Sequence, residues 1–325
     1  MQRWAEMIAA RQPIRRVVLD VGLHALAATA DWLPQMRQRM ARCELIKDVE
    51  YVRRAHSALQ LDIARPAAEG PYPVVVYFHG GAFAIGSKRT HRAVAAAYAS
   101  QGYLVCNVDY RLAPEHPFPA AAQDACAAWL WTVDHVSRYG GDPQRITVAG
   151  ESAGANLALV VAIACCARRP EPYAAALFDR GIRPAAALLY CGFLQVSEPL
   201  RYRRAGVSAL AARIASDAAR SYLGGSAGMP GTELADPLLV IESMPTGAAL
   251  PPIFIATGGA DPALPDSERL EETLRRQHAT CVARYYPGEA HAFHMMFWRR
   301  QALQCWRESF DFLQRFVSPR SNPVD

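Results

Sequence analysis

The segment at 145–159 constrains the fold of this chain more than any other part of the sequence. A run of mostly apolar and β-branched residues leads into Gly150-Glu151-Ser152-Ala153-Gly154, and a stretch rich in alanine and leucine follows. This order predicts a buried strand, a tight turn with Ser152 at its apex and a helix that begins at Ala153. Flanking glycines leave room for the strained turn that presents a nucleophile above a sheet. An ordinary strand-to-helix turn is the alternative interpretation, so residues elsewhere must decide.

Outside this segment, short apolar strands alternate regularly with helical patterns. Strands of this kind, buried on both faces, predict an α/β fold with a mostly parallel central sheet and helices on both sides. Nearer the start of the chain, apolar and polar residues alternate with a period of two, which predicts a hairpin of edge strands instead. The predicted strands are 48–54, 57–63, 74–78, 103–108, 146–149, 185–191, 253–257 and 281–286, and the predicted helices are 89–100, 120–136, 153–168, 266–277 and 300–316.

Two segments do not fit this alternation. Residues 1–45 carry a helical pattern and precede the first strand, and 192–250 separate two strands by far more chain than a crossover needs. We therefore expect a catalytic α/β domain of 46–191 and 251–325. The two remaining segments are expected to form a helical cap over the carboxyl edge of the sheet, where open α/β sheets bind ligands.

Composition excludes several classes of function. The chain has 325 residues, 51% of them apolar and 20% charged, which is enough to bury a large core. Its net charge of +5 comes from scattered arginines without a dense basic block, so nucleic-acid binding gains no support. No apolar run approaches the ~20 residues of a membrane-spanning helix.

Cysteine usage indicates the cellular compartment. Five of the eight cysteines lie inside apolar runs and are expected to be small core residues: Cys106, Cys126, Cys165, Cys166 and Cys191. No Cys-x-x-Cys pair suggests a zinc or redox motif, and a reduced cytoplasmic setting fits best. Export is the alternative, because Arg15-Arg16 precede an apolar stretch that resembles a secretion signal.

The chemistry expected around Ser152 needs an oxyanion site, a base and an acid. Gly80 and Gly81 follow a predicted strand directly and can bring backbone N–H groups close to a substrate oxygen, together with the N–H of Ala153. Asp261 follows the penultimate strand, and His291 follows the last strand in a loop that glycine opens. Their order is that of a serine, acid and histidine triad. Asp266 is the alternative acid, and His294 is the alternative base.

These motifs together resemble the hormone-sensitive-lipase-like (bacterial family IV) carboxylesterases of the α/β-hydrolase fold, over roughly residues 70–316. The motifs that carry the resemblance are His79-Gly80-Gly81-Ala82, Asp109-Tyr110-Arg111-Leu112-Ala113-Pro114-Glu115, Gly150-Glu151-Ser152-Ala153-Gly154, Asp261-Pro262 and His291-Ala292-Phe293.

The resemblance implies a role for each of these residues. Ser152 is the implied nucleophile, His291 the base, Asp261 its orienting acid, and Gly80, Gly81 and Ala153 the oxyanion donors. His79, Glu115 and Glu151 are implied as supports of the catalytic loops. Ala82 stands where the family often has a third glycine, and Glu151 where it often has aspartate.

The sequence therefore predicts a serine esterase that acts on small esters with short or medium acyl chains. No metal or organic cofactor is expected, and an exposed edge strand or the last helix offers a surface for pairing two copies. Thioester, amide or deacetylase chemistry on the same triad remains an alternative. Two further alternatives are a ligand receptor without turnover and a scaffold that binds partners through its N-terminal arm.

Overall fold

An antiparallel hairpin forms one edge of an eight-stranded sheet in the computed structural model of this protein. The structure describes residues 20–21, 24, 34–54, 57–204, 207–226 and 228–317. The strands are β1 (Cys43–Arg54), β2 (Ser57–Pro66), β3 (Tyr72–Phe78), β4 (Leu104–Val108), β5 (Gly141–Glu151), β6 (Ala186–Tyr190), β7 (Ile253–Gly258) and β8 (Cys281–Tyr286).

Ten helices accompany the sheet in the described residues. They are α1 (Pro34–Met40), α2 (Arg92–Ala99), α3 (Ala120–His135), α4 (Ala153–Cys166), α5 (Pro172–Arg180), α6 (Arg201–Arg204), α7 (Ala209–Leu223), α8 (Pro237–Ser243), α9 (Leu264–Arg276) and α10 (Arg300–Val317).

The strands are ordered β1-β2-β4-β3-β5-β6-β7-β8 across the sheet. The hairpin joins the sheet antiparallel to β4, and every neighbouring pair from β4 to β8 is parallel. Parallel strands need helical crossovers, and these cover both faces. The predicted α/β fold with a mostly parallel sheet is confirmed.

Burial explains why the central strands read as continuous apolar runs. All five residues of β4 and of β6 are buried, and so are all six of β7. Helix α4 is buried from Ala153 to Cys165, which accounts for its lack of a polar face. The apolar core thus packs against the helix that directly follows Ser152.

This topology brings distant parts of the chain to one edge of the sheet. Residues that follow β3, β5, β6, β7 and β8 all emerge at the carboxyl edge, because these five strands are parallel neighbours. His79, Ser152, Cys191, Asp261 and His291 follow these five strands in that order.

Three helices, α5, α6 and α8, were not predicted individually from the sequence. Helix α5 begins with Pro172 at its first turn and ends at Gly181, which adopts the left-handed conformation. A proline in the first turn and a glycine after the last turn are both ordinary helix signals. They were overlooked because two prolines so close together suggest a loop. Helix α8 also begins with proline, and its seven residues are too short to show a helical period.

The segments predicted to form a cap contact loops at the carboxyl edge. The carbonyl of Tyr222, near the end of α7, accepts a hydrogen bond from the N–H of Phe118 at 2.6 Å. From the N-terminal segment, the Asp20 carboxylate accepts the N–H of Gly86 at 3.0 Å. The division into catalytic and cap domains remains a prediction. Among the described residues, none of the helices combines the length and apolar character needed to span a bilayer.

Candidate active site

Ser152 occupies the strained turn between β5 and α4. Its backbone has φ 54° and ψ −116°, and its N–H donates to the carbonyl of Tyr190 on the adjacent strand at 2.9 Å. A Cβ on Gly150 would lie 2.4 Å from the backbone of Gly154, and one on Gly154 would lie 2.0 Å from the carbonyl of Phe78. The turn therefore packs so tightly that both flanking residues must be glycine.

Asp261 and His291 meet at this edge of the sheet. Nδ1 of His291 lies 2.8 Å from Oδ1 of Asp261, a carboxylate that is fully buried and also accepts the N–H of Ala263. An ionised carboxylate can only accept, so Nδ1 carries the proton and Nε2 keeps its lone pair. The imidazole is 41% exposed, which leaves it accessible to a substrate.

The pKa of His291 reflects two opposing effects. Burial favours the neutral ring and lowers the pKa, whereas the interaction with the sulfur of Cys191, the hydrogen bond to the Asp261 carboxylate and the charge of that carboxylate raise it. The net pKa lies above the ordinary value of histidine. Burial also raises the pKa of the neighbouring Cys191 thiol.

Ser152 and His291 lie at the same edge of the sheet, on the loops after β5 and β8, and no hydrogen bond joins their side chains in the described structure. Within the described residues, the Ser152 hydroxyl has no hydrogen-bond partner, and its side chain is partly exposed. Hydrogen bonds of catalytic serines are often long in unliganded sites and shorten when the substrate binds. The arrangement is compatible with proton transfer from Ser152 to Nε2.

The N–H of Gly80 is already engaged, which differs from its expected role. It donates to Oε1 of Glu151, the residue that precedes the serine. The next residue, Gly81, has φ 118°, and a Cβ there would lie 2.1 Å from the carbonyl of Ile85. Neither Gly81 nor Ala82 has an acceptor for its N–H in the described part of the chain. The first N–H of α4, on Ala153, likewise has no acceptor inside its helix.

Glu151 lies at the centre of a buried polar cluster behind this loop. Its carboxyl accepts from the hydroxyl of Tyr77 and from Gly80 N–H, and lies 2.6 Å from Nε2 of His91. Burial raises the pKa of Glu151 to about 8 and lowers the pKa of His91 well below its usual value. Both directions favour a neutral pair in which the carboxyl keeps its proton and shares it with the imidazole.

His79 and Glu115, the other expected supports, differ in burial. The His79 ring is buried, stacks on Tyr110 at 4.3 Å, and contacts the carbonyl of Gly80 at 2.7 Å through Nδ1. The Tyr110 hydroxyl in turn donates to the carbonyl of His79 at 2.6 Å. Glu115 is exposed on the loop before α3, so its supporting role stays a prediction.

The two alternative triad residues have other partners. Asp266 is fully buried and accepts hydrogen bonds from the guanidinium of Arg201, the hydroxyl of Tyr202 and the N–H of Leu194. Its carboxylate thus links the inserted segment, residues 192–250, to α9. His294 is buried and stacks on Tyr190 at 4.5 Å, and burial lowers its pKa to about 3. Neither residue is available as the acid or base.

Aromatic side chains of the loop after β3 and of the inserted segment pack on one another, and the backbone of one of these residues is hydrogen-bonded to the Ser152 turn. Phe83 stacks on Tyr222 with ring centroids 3.6 Å apart, and Phe193, whose N–H donates to the carbonyl of Ser152, lies 6.4 Å from Phe83. Tyr202 belongs to the same aromatic cluster, and its ring centroid lies 5.9 Å from that of Phe193. These buried rings form an apolar cluster next to the Ser152 turn.

Sequence reasoning missed two residues beside the site, Cys191 and His91. Cys191 directly follows the strand next to the serine turn, so its position at the carboxyl edge was a usable signal. His91 contacts Glu151 from the start of α2, sixty residues earlier in the chain. Nothing in the local sequence indicates that pairing.

Comparison with known proteins agrees with this architecture. Residues 75–295 match a family model described as an alpha/beta hydrolase fold. Carboxylesterase NlhH of Mycobacterium tuberculosis (strain CDC 1551 / Oshkosh) is 49% identical over 98 residues, which are 30% of this chain and 31% of that protein. Carboxylic ester hydrolase LipN of Mycobacterium tuberculosis (strain ATCC 25618 / H37Rv) is 33% identical over 72% of this chain and 60% of its own length.

These alignments span less than two thirds of either relative. The crystal structure of esterase LipW of Mycobacterium marinum is similar to this protein over the whole fold. It superposes with a TM-score of 0.77 at 26% identity and covers 94% of this chain and 90% of that one. With the family match over more than half of its length, this chain belongs to the hormone-sensitive-lipase-like family of the α/β-hydrolase fold.

Proposed function

We propose that this protein is a serine carboxylesterase that hydrolyses small esters with short or medium acyl chains. The observation that carries the proposal is the 2.8 Å contact between His291 and the buried Asp261 at the sheet edge that also holds Ser152 in its strained turn. The relatives named as carboxylesterases support the same conclusion.

The proposed reaction begins with attack of the Ser152 hydroxyl on the ester carbonyl. Nε2 of His291 takes the hydroxyl proton while the new C–O bond forms, and Asp261 stabilises the resulting imidazolium. The tetrahedral intermediate then collapses, and His291 gives its proton to the leaving alkoxide. Water repeats both steps on the acyl-enzyme and releases the carboxylic acid.

We assign the oxyanion donors to Gly81, Ala82 and Ala153. Gly80 is replaced by Ala82 in this assignment, because Glu151 accepts the Gly80 N–H. Each well-placed donor contributes roughly 2.7–4 kcal/mol to stabilising the transition state in comparable sites. The free N–H groups of Gly81 and Ala82 follow one another on the loop, so both can reach one oxygen.

The proposed preference for short or medium acyl chains rests on the cluster of buried aromatic side chains that includes Phe83 and Tyr222. Tyr222 of the inserted segment lies flat against Phe83, which directly follows the assigned oxyanion donors Gly81 and Ala82, and both side chains are buried. This stack limits the depth available to an acyl chain on that side of Ser152. A long chain would have to displace packed aromatic rings.

The test is hydrolysis of chromogenic esters from acetate to palmitate by the parent protein and by Ser152→Ala. Ser100→Ala is a matched control, because this serine ends α2 at the opposite edge of the sheet. We expect the rate to peak at a short chain, to vanish in Ser152→Ala and to persist in Ser100→Ala. Equal and negligible rates for all three proteins would reject the esterase function. A maximum at palmitate would reject the chain-length preference alone.

A further inference from the structure

Cys191 lies beside the proposed triad but has no part in its chemistry. It is buried, directly follows β6 and adopts φ 42°. Its Sγ, a ring nitrogen of His291 and a carboxylate oxygen of Asp261 all lie within 4.8 Å of one another. Among the described residues, this is the one cluster of three or more such side chains with that spacing.

The three donors match the ligand preferences of a borderline-soft divalent cation. Zinc binds thiolate sulfur at about 2.3 Å and imidazole nitrogen or carboxylate oxygen at about 2.0–2.2 Å. In a tetrahedral site these bond lengths separate neighbouring ligand atoms by roughly 3.5 Å. Side-chain shifts of about an ångström would therefore convert the observed cluster into three ligands of one cation.

Access and an open position are also present. Cys191 and Asp261 are buried, whereas His291 is 41% exposed and faces solvent. A cation can therefore enter from the side of the imidazole. Three protein ligands with a fourth position open to water is the usual form of an accessible zinc site.

We infer that Cys191, Asp261 and His291 form an inhibitory site for a thiophilic divalent cation such as Zn²⁺ or Cd²⁺. On binding, the Cys191 thiol loses its proton to solvent, and His291 stays neutral with its one proton on the ring nitrogen that does not face the cation. Sulfur, the unprotonated ring nitrogen and oxygen each give an electron pair to the cation without any redox change. The cation holds His291 in the complex, so the imidazole no longer serves Ser152. Mg²⁺ and Ca²⁺, which prefer all-oxygen sites, do not compete for this one.

The inhibition rests on the proposed function, whereas cation binding does not. The two parts are therefore measured separately. No local sequence pattern indicates the site, because its three ligands are separated by 70 and 30 residues and are brought together by three adjacent strands.

Binding is tested by titrating the protein with Cd²⁺ in the presence of a phosphine reductant. The readouts are equilibrium dialysis and the ultraviolet thiolate-to-cadmium charge-transfer absorption. The variants are Cys191→Ser, Cys191→Ala and Ser152→Ala. Cys166→Ser is the matched control, because Cys166 is more exposed and lies at the far end of α4. Circular dichroism and thermal unfolding establish that each variant is folded.

We expect one cation per chain in the parent, in Ser152→Ala and in Cys166→Ser, with the charge-transfer band present. Either Cys191 substitution should remove the band and weaken binding at least about tenfold, since loss of an outer-shell partner alone costs 10–100-fold. Unchanged binding in both Cys191 variants, or loss of the band in Cys166→Ser, would overturn the proposed site.

Inhibition is tested with Zn²⁺ on the hydrolysis of a chromogenic acetate ester, with each variant compared with its own uninhibited rate. We expect reversal by a chelator, no inhibition by Mg²⁺ and an inhibition constant at least about tenfold higher in Cys191→Ser. Equal Zn²⁺ sensitivity of the parent and Cys191→Ser would refute the inhibitory role. Cadmium binding by a parent protein without esterase activity would retain the site and reject only the proposed function.

Discussion

At the scale of single residues, the proposed mechanism makes activity depend on the ionisation of His291. The protonated imidazole cannot accept the serine proton, so activity is lost as pH falls through the His291 pKa. The contacts with Cys191 and Asp261 together outweigh the effect of burial and place the His291 pKa above its usual value.

We therefore predict that the acid limb of kcat/KM lies above about pH 6.5, the ordinary histidine value. Asp261→Asn should shift that limb to lower pH and reduce kcat by about 10⁴, as found when the acid of a comparable triad becomes an amide. The measurement is the pH profile of ester hydrolysis for both proteins. An unshifted acid limb in the variant would contradict the role given to Asp261.

Glu151 accepts the N–H of Gly80 on the loop of the proposed oxyanion donors, and substitution should separate the effect of this hydrogen bond from that of the carboxyl charge. Glu151→Gln keeps an acceptor for the Gly80 N–H and should retain kcat within about tenfold. Glu151→Ala leaves Gly80 N–H and the Tyr77 hydroxyl without their partner, at a cost of about 1–3 kcal/mol each. Its kcat should fall further than that of Glu151→Gln while KM changes little. Equal kcat values in the two variants would exclude the supporting role.

The raised pKa of Glu151 also predicts a pH dependence of stability. The folded chain retains this proton up to about pH 8, whereas the unfolded chain loses it near the ordinary glutamate value. Its stabilising contribution is complete below the unfolded pKa and is lost as pH rises through the folded value. Denaturant unfolding should therefore show that the stability of the parent relative to Glu151→Gln falls between about pH 5 and about pH 9. A difference that does not vary with pH would indicate that Glu151 is ionised in the folded state.

At the scale of elements, the inserted segment is held to the sheet by a buried carboxylate. Asp266, in the first turn of α9, accepts the backbone N–H groups of Leu194 and Gln195 at 2.9 and 3.2 Å. It also forms an ion pair with Arg201 at 2.6 Å. This contact fixes the start of the segment close to Phe193, which borders Ser152.

We predict that Asp266→Ala mainly affects stability. Removal of one partner leaves the Arg201 charge and two N–H groups poorly satisfied, and breaking a buried pair costs about 3–5 kcal/mol. The kcat per folded molecule should stay within about tenfold of the parent value, whereas Asp261→Ala should lose activity and retain more stability. Denaturant unfolding and active-site titration separate the two effects. A loss of kcat in Asp266→Ala as large as that in Asp261→Ala would restore Asp266 as a candidate acid.

At the scale of the whole molecule, the eight cysteines form no disulfide in the described structure, which includes all of them. The fold is held instead by burial on both faces of the sheet. We expect the unfolding temperature to be the same with and without reductant, because no covalent link restrains the unfolded chain. Thiol titration in denaturant should find eight free thiols per chain. A lower count, together with a reductant-dependent unfolding temperature, would contradict this expectation.

Much of the fold was predictable because local patterns and tertiary structure agree. The strand at β8 was predicted with its observed bounds, and the helices α3, α4 and α10 within two residues at each end. Their apolar runs and periods are local consequences of burial. Helices α5, α6 and α8 were missed, since proline-rich starts or short lengths hide the helical period.

The sequence by itself determined the parallel α/β sheet, the glycine-flanked turn at Ser152 and the order in which Asp261 and His291 follow it. These depend on neighbouring residues, whose spacing is readable along one chain. The tertiary structure decided the partners of these groups. In the folded chain the Gly80 N–H donates to Glu151, Asp266 pairs with Arg201 of the inserted segment, and Cys191 lies beside His291. Such contacts join residues far apart in the chain, and only the strand order and register bring them within bonding distance.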